Sequence, residues 1–347
     1  MRTRPLAHVR SLLSISAIGF ASVLACTTGT GTGDGDGDGD GDGDSGLVLD
    51  GVTLVAPTQQ AVREDGAAVD VSCMGNPVVV GAGQTTTVEG CITIFGIGSK
   101  SKQNMKLAVF SADQNPSTDT PAYGEVDVAV ASVAGNLQAL AQNCDSEGYY
   151  RVANVPTHEA LIFKVYDLDE GPLQLAVSTY SYDVMFFNDE IVDGKILYEA
   201  NLIYKSTYES VPTLAGRLVD GRQDLGDGVG RSVVAGEVHD CGDKILGNAV
   251  IGSSQMDGQT RLTYFNGDED DPSPDPTLTA TNTDGLYAFI NTTTEPGKNV
   301  HRLVAAILDP ACEGDDCEPI LMGSREIMTF PDSVTIITLR GDLPVVE

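Results

Sequence analysis

The sequence predicts an all-β protein: two tandem antiparallel β-sandwich domains behind a disordered N-terminal tether. The 347 residues include 39 glycines, 16 prolines and no tryptophan. Gly and Pro favour turns and interrupt helices, whereas the frequent Val and Thr favour strands. Apolar and polar residues alternate in short runs such as Met105 to Phe110, while long stretches of helical periodicity are scarce. We expect helix in less than about a tenth of the residues.

The first 25 residues have the layout of a bacterial export signal. Arg2, Arg4 and Arg10 precede an uncharged apolar segment that ends at Leu24. That segment is shorter than the about 20 apolar residues that span a bilayer. The mature chain therefore begins outside the cytoplasm.

The end of this signal, Val23-Leu24-Ala25-Cys26, resembles the lipobox of bacterial lipoproteins. The resemblance implies diacylglycerol on the Cys26 thiol, cleavage before Cys26 and acylation of the new amino terminus. It also implies retention in the bacterial envelope, and Thr27 after the Cys favours the outer membrane. An ordinary signal peptide, with Cys26 as a free or paired thiol, is the other interpretation.

Residues 26–46 are predicted to form a disordered tether. Gly and Asp alternate strictly from Gly33 to Asp44, which gives six aspartates and no apolar side chain. Nothing in this run offsets the entropy of ordering it, and neighbouring carboxylates repel each other. A calcium loop of the EF-hand type would need Glu at its twelfth position, where Ser45 stands.

The charge of the chain excludes some partners. Beyond the signal peptide, 17 basic residues face 50 acidic ones, which gives a net charge near −33. Such a surface repels nucleic acid and anionic lipid head groups, so no nucleic-acid partner is expected. The remaining partners are the membrane, through the lipid on Cys26, and an unknown protein or glycan.

Six cysteines follow Cys26, and an even number in an exported chain predicts disulfides. They are Cys73, Cys91, Cys144, Cys241, Cys312 and Cys317. Only Cys312 and Cys317 are paired by proximity, across an acidic loop that disfavours a redox role. For the other four we expect a Cys73–Cys91 pair and a bridge between domains from Cys144 to Cys241, among the 15 connectivities that six cysteines allow.

Short predicted strands follow one another along the rest of the chain. They begin at residues 47–70 and continue through 85–96, 105–110, 149–155, 161–166 and 173–204, with a loop over 111–124. Residues 206–214 form a short helix or a linker, which Pro212 limits. The same order of motifs then recurs, so the chain contains a two-copy internal repeat.

The repeat rests on two matched motifs. Val88-Glu89-Gly90 corresponds to Val234-Ala235-Gly236, and Gly148, Tyr150 and Val152 correspond to Gly285, Tyr287 and Phe289. Thr283-Asp284-Gly285-Leu286-Tyr287 and Asn248-Ala249-Val250 complete a pattern in the second copy that resembles the carboxypeptidase regulatory-like domain. That resemblance implies two Ig-like or prealbumin-like (transthyretin-like) β-sandwiches, over residues 47–211 and 212–347. The matched tyrosines are expected to pack in the core.

No catalytic, cofactor or metal motif stands out. His158, His239 and His301 are widely separated, and no nucleophile elbow or phosphate-binding loop occurs. The tyrosine-rich run 177–187 is predicted to be core and edge strand rather than a ligand platform. The acidic loops 167–170 and 266–276 are predicted to be solvated, although their carboxylates are suited to Ca²⁺.

The sequence therefore favours a membrane-anchored, surface-exposed lipoprotein that binds a partner or serves a structural role without catalysis. The alternative is an envelope-attached enzyme, of the hydrolase class, whose site is assembled from residues that form no recognisable motif.

Overall fold

The computed structural model describes residues 47–95, 104–130, 147–169, 171–215, 230–268, 272–312 and 317–346. The predicted signal peptide and tether, with Cys26, lie outside the described residues, and so does Cys144. The described chain is predominantly β, as predicted. Within it, no helix has the length and apolar character needed to cross a bilayer.

Strands and one α-helix follow the predicted order. The N-terminal segment (residues 47–80) holds β1 (Leu47–Leu49), β2 (Val52–Leu54), β3 (Val62–Arg63) and β4 (Val79–Val80). The first repeat (residues 85–204) holds β5 (Thr85–Phe95), β6 (Met105–Ser111), β7 (Glu125–Asp127), β8 (Ala129–Val130), β9 (Glu147–Pro156), β10 (Leu161–Asp167), β11 (Ala176–Val184), β12 (Lys195–Leu197) and β13 (Ala200–Tyr204). The predicted helix is α1 (Lys205–Leu214), which ends two residues after Pro212.

The second repeat (residues 232–337) follows α1. It holds β14 (Ser232–Glu237), β15 (Leu246–Gly247), β16 (Val250–Ser253), β17 (Arg261–Phe265), β18 (Pro274–Asp275), β19 (Leu286–Thr292), β20 (Val300–Leu308), β21 (Pro319–Met328) and β22 (Ser333–Ile336). The last strand, β23 (Val345–Val346), pairs with β4 of the N-terminal segment.

The two repeats share one pattern of strand pairing. In the first, β5 lies antiparallel to β9 and parallel to β12 and β13, while β10 lies between β6 and β11. In the second, β14 lies antiparallel to β19 and parallel to β22, while β20 lies between β16 and β21. The expectation of purely antiparallel sheets is wrong for β12, β13 and β22. β12 and β22 reach the sheet by crossing from the other layer and so run in the same direction as the first strand, and β13 continues along that strand from β12.

A β-bulge at the same place in both copies supports their equivalence. Between β5 and β9 the register shifts at Asn154, and between β14 and β19 it shifts at Asn291. Both asparagines have φ near +60°, at 61° and 60°. Asn tolerates this left-handed conformation better than most residues, which suits it to the extra position of a bulge.

Each repeat buries side chains between two layers of strands. In the first, Val88 and Tyr150 from one layer meet Leu107 and Phe163 from the other. In the second, Val234 and Tyr287 meet Ile251 and Leu303. Every second side chain faces the core, as the period-two pattern predicted. The expectation that the strand over 105–110 is half-buried is wrong, because the other side of β6 is buried against the second repeat through Ala108 and Phe110.

The repeats are joined by β11. Its residues 178–181 pair in parallel with residues 333–336 of β22, so hydrogen bonding continues from one repeat into the other. The side of β10 and β11 that points away from the core of the first repeat contributes Ile162, Tyr180 and Tyr182 to the core of the second. There the ring centroids of Tyr180 and Phe330 are 4.5 Å apart. The tyrosine-rich run is therefore core, as predicted, but it is not an edge strand, because β11 pairs with β10 on one side and with β13 and β22 on the other. The division at residues 211 and 212 stays a prediction.

The N-terminal segment packs against the second repeat. β3 pairs with β15, and Leu54 of β2 is buried against Val250 and Ala306. The carboxylate of Asp240, which is fully buried, accepts the backbone N–H of Asp70 at 3.0 Å. The segment thus covers part of the repeat that is farther away in sequence.

This packing explains a wrong disulfide prediction. Cys73 is bonded to Cys241, with 5.6 Å between their Cα atoms, so the expected Cys73–Cys91 and Cys144–Cys241 pairs are both wrong. Cys73 lies in the N-terminal segment and therefore meets the second repeat. Cys91 is also in a disulfide, with a partner outside the described residues. The predicted Cys312–Cys317 pair is confirmed.

Candidate ligand-binding face

In each repeat, a glycine of β5 or β14 and a tyrosine of the neighbouring strand β9 or β19 contact the backbone just after the parallel strand β12 or β22. The Tyr150 hydroxyl donates to the carbonyl of Tyr198 at 2.7 Å, and the Tyr287 hydroxyl donates to the carbonyl of Ile337 at 3.1 Å. A Cβ at Gly90 or Gly236 would lie only 1.9 or 1.8 Å from the same two oxygens. The matched motifs are therefore structural, as predicted for the tyrosines.

In each repeat, the sheet that contains these strands has a second side, which points away from the core of that repeat. We call this side the outer face, and it differs between the repeats. We define it by six positions that are equivalent in strand register. In the first repeat they are Thr87, Glu89, Tyr149, Arg151, Lys195 and Leu197, and in the second they are Val233, Ala235, Leu286, Ala288, Val334 and Ile336. Five positions carry polar or charged side chains in the first repeat, and all six are apolar in the second.

The apolar face of the second repeat is covered by the first repeat and the helix. Val233, Ala288 and Val334 are buried in one cluster with Val177, Ile203 and Tyr208. This face is an interface within the chain.

The first repeat's face is a network of polar groups around Glu89. This side chain is only 4% exposed. One carboxylate oxygen lies 2.5 Å from Lys195 Nζ, while the other accepts from the Tyr149 hydroxyl at 2.9 Å and lies 3.9 Å from Arg151 Nε. A buried carboxylate is stable only when it is paired and hydrogen-bonded in this way.

Around this buried centre the face is open. The side chain of Arg151 is 63% exposed and that of Lys195 is 33% exposed, and Leu197 is 58% exposed. The Thr93 hydroxyl donates to Glu199 at 3.1 Å, which extends the network along β5. Burial, and then the bond to Glu89, raise the pKa of Tyr149 to about 12, so the phenol remains protonated at neutral pH. The face is thus an ordered array of donors and acceptors.

A second polar cluster lies at the end of β14. His239 Nε2 lies 2.8 Å from Glu237 and Nδ1 lies 3.0 Å from Asp243. Burial disfavours the imidazolium, but the bonds to Asp243 and Glu237 outweigh it and raise the pKa of His239 to about 9. Asp243, whose pKa is lowered chiefly by His239, also pairs with Arg340 at 2.9 Å. A histidine that stays charged at neutral pH is not a general base.

Close to this cluster, an ion pair joins the repeats. Asp183 of the first repeat lies 3.2 Å from Arg325 Nε of the second. Burial raises the pKa of Asp183 and lowers that of Arg325, so each group is stable in its charged form only because the other is present. This pair belongs to the junction between the repeats.

The other histidines hold backbone and hydroxyl groups. His301 is fully buried, with Nδ1 3.3 Å from the Ser253 hydroxyl and Nε2 3.1 Å from the Thr293 carbonyl. Burial lowers the pKa of His301. Because Ser253 is buried as well, this Ser–His pair is closed to substrate. His158 bridges Gly81 and the Asn188 N–H.

The described ranges contain no assembled metal-binding site. No group of three or more His, Cys, Asp or Glu side chains suited to a metal ion occurs there. In the loop at 167–170, Asp167 accepts the backbone N–H groups of Asp169, Leu175 and Ala176. Residues 170 and 269–271 of the two acidic loops lie outside the described residues, and calcium binding stays a prediction.

A depression of about 490 Å³ lies between the N-terminal segment and the Cys312–Cys317 loop. Ala61, Val69, Val71 and Pro310 line it together with Arg63. The Arg63 guanidinium bonds to Asp65 at 2.7 Å and to the carbonyl of Ala68 at 3.1 Å. Two of its three nitrogens are thus committed to neighbouring residues of the same segment.

Sequence reasoning found the Gly and Tyr motifs but not the Glu89 network. Glu89 stands inside a matched motif, yet Lys195 follows it by 106 residues. The available signal was the replacement of Ala235 by Glu at the equivalent position of the first copy.

No protein-family model and no curated protein matches this chain. Among solved structures, it is weakly similar to the product complex of SpuA, a multi-modular glycogen-degrading pneumococcal virulence factor. The identity is 11% and the TM-score 0.16, over 73% of this chain and 21% of the other. The chain thus spans about a fifth of that protein's length, and the likeness carries no argument about fold or activity.

Proposed function

We propose that this chain is a non-catalytic binding protein, held at the outer surface of a bacterial envelope by a lipid on Cys26. The residue after that cysteine, Thr27, favours the outer membrane. In this proposal the two repeats are tandem prealbumin-like β-sandwiches. Their common strand pairing, common bulge and common Gly–Tyr contact support that assignment.

One observation carries the binding role. The outer face of the first repeat keeps an ordered polar network with Arg151 and Leu197 exposed, whereas the equivalent face of the second is a buried interface. The disulfides are typical of an oxidising space outside the cytoplasm. The buried Ser253–His301 pair, and His239, which is charged at neutral pH, give no support to the hydrolase alternative.

The anchoring is tested by cell fractionation. Replacing Cys26 with Ser should move the protein from the membrane fraction to the soluble exported fraction, while biotinylation of intact cells should label the wild-type protein. Unchanged membrane association of the Cys26→Ser protein contradicts the lipid anchor.

The binding role is tested by photo-crosslinking on intact cells. A photoreactive amino acid at position 151 should capture a protein or a glycan, and the same group at position 298 should not. Lys298 is a suitable control because its side chain is 62% exposed and lies in the second repeat. Equal labelling from both positions contradicts a binding role for the outer face.

A further inference from the structure

We infer that the outer face of the first repeat binds a neutral polysaccharide. The inference rests on the binding role proposed above and specifies its ligand. It depends on the charge balance of the face, on its array of hydrogen-bonding groups and on its difference from the equivalent face of the second repeat.

The face is electrically balanced on a strongly acidic chain. Among the described side chains, the carboxylate of Glu89 on the face and that of Glu199 beside it are matched by Lys195 and Arg151. The whole chain has a formal charge of −30, which repels polyanions at long range. A ligand without charge meets neither this repulsion nor the desolvation cost of a new ion pair.

The polar groups on the face have unused hydrogen-bonding capacity. An ammonium has three donors and a guanidinium has five, and the contact to Glu89 uses one donor of Lys195. The Tyr149 hydroxyl donates to Glu89 and keeps its own lone pairs as acceptors. Hydroxyl-rich sugars need donors and acceptors side by side, already held in place, because ordering them on binding costs affinity.

The face also offers apolar contact beside these groups. Leu197 lies directly opposite Glu89 in the strand register and is 58% exposed. The C–H side of a pyranose ring can cover such a side chain while its hydroxyls reach Lys195 and Arg151. An exposed apolar side chain next to a polar array fits a sugar unit of a polysaccharide.

The equivalent face of the second repeat argues against a protein ligand. That face does bind protein, namely the first repeat and α1, and it does so with Val233, Ala288 and Val334. Protein interfaces are depleted of Lys and Glu at their centres, where the first repeat has Lys195 and Glu89. The two faces share a backbone, so their side chains identify different occupants.

Affinity electrophoresis tests the inference with the full mature chain carrying Cys26→Ser, which removes the lipid. Gels contain dextran, mannan, galactan or xylan as neutral probes and alginate as an anionic one, at 0.15 M salt. We expect at least one neutral polysaccharide to retard the protein and alginate not to do so. Retardation by none of the neutral probes, or by alginate to the same extent, overturns the inference.

Two exposed truncations locate the site while leaving Lys195, the closest cation to Glu89, in place. Arg151→Ala and Leu197→Ala should each weaken binding about tenfold or more, while Lys298→Ala should bind as the wild-type protein does. Circular dichroism and thermal unfolding confirm that the variants fold. Unchanged binding by both truncations overturns the inference. If crosslinking at position 151 captures a protein instead, the binding role survives and the polysaccharide is excluded.

Discussion

The outer faces of the two repeats have the same strands, register and bulge, yet one is polar and open and the other apolar and buried. At the centre of the first, Glu89 lies opposite Arg151 and Leu197, and at the centre of the second, Ala235 lies opposite Ala288 and Ile336. The same backbone arrangement therefore supports both an exposed polar face and a buried apolar face. The side chains on one side of each strand decide whether the face binds within the chain or faces solvent.

The other sides of the repeats differ as well. The β6–β10–β11 layer of the first repeat is covered by the second, whose own β16–β20 layer is covered by the N-terminal segment through Leu54. A repeat at the end of an array needs a polar outer surface for solubility. The outer face of the first repeat satisfies that requirement, and its fixed ion pairs go beyond it.

The largest expected effect comes from the contact that both copies share. Gly90→Ala and Gly236→Ala should each lower the free energy of unfolding by about 3 kcal/mol or more, because the new methyl group would overlap a backbone oxygen. Denaturant unfolding measures this change. Gly258→Ala is the control, since nothing lies within 4 Å of the added atom. Sensitivity in only one copy contradicts their equivalence.

The difference between the faces can be removed by substitution. Lys195→Val alone should cost about 3 kcal/mol, because the buried carboxylate of Glu89 loses its closest cation. Glu89→Ala with Lys195→Val reproduces the residues of the second repeat and should return the free energy of unfolding to within about 1 kcal/mol of wild type. Chemical denaturation of both variants gives these values. A double variant as unstable as the single one contradicts the assigned pairing.

Much of the fold was predictable because it depends on local pattern. Alternation along β6 and β10, and the Gly and Tyr motifs, are visible in the sequence, and so is the short helix before residue 215. Turns and strands can be predicted from the pattern of apolar and polar residues within a short stretch of the sequence.

The Cys73–Cys241 disulfide and the candidate face were not predictable because they depend on long-range placement. Cys73 meets Cys241 only because the N-terminal segment packs against the second repeat. Glu89 meets Lys195 only because β12 returns beside β5. Local sequence patterns do not indicate the contact between Cys73 and Cys241 or the one between Glu89 and Lys195. The difference between Glu89 in the first copy and Ala235 in the second did indicate that the two faces differ.

The cluster around His239 has no equivalent in the matched motifs of the first repeat, and pH isolates its contribution. Because the folded pKa of His239 is about 9 and its ordinary value is 6.5, its stabilisation is complete below about pH 6.5 and is lost as pH rises through 9. The loss should be on the order of 2 kcal/mol. Denaturation between pH 6 and 10 should show this decrease in the wild type and not in His239→Gln. Parallel pH profiles for the two proteins would exclude it.

The smallest effects come from the paired tyrosines, and they show whether the repeats are energetically independent. Tyr150→Phe and Tyr287→Phe each remove one hydrogen bond to a strand carbonyl, at 2.7 and 3.1 Å, and should each cost about 1 kcal/mol. Both rings lie in separate cores, so the double variant should lose the sum to within about 0.5 kcal/mol. Equilibrium unfolding of the two single variants and the double variant gives the coupling free energy between the two sites. A coupling above 1 kcal/mol would mean that the pairing of β11 with β22 transmits strain from one core to the other, so that the two copies behave as a single folding unit.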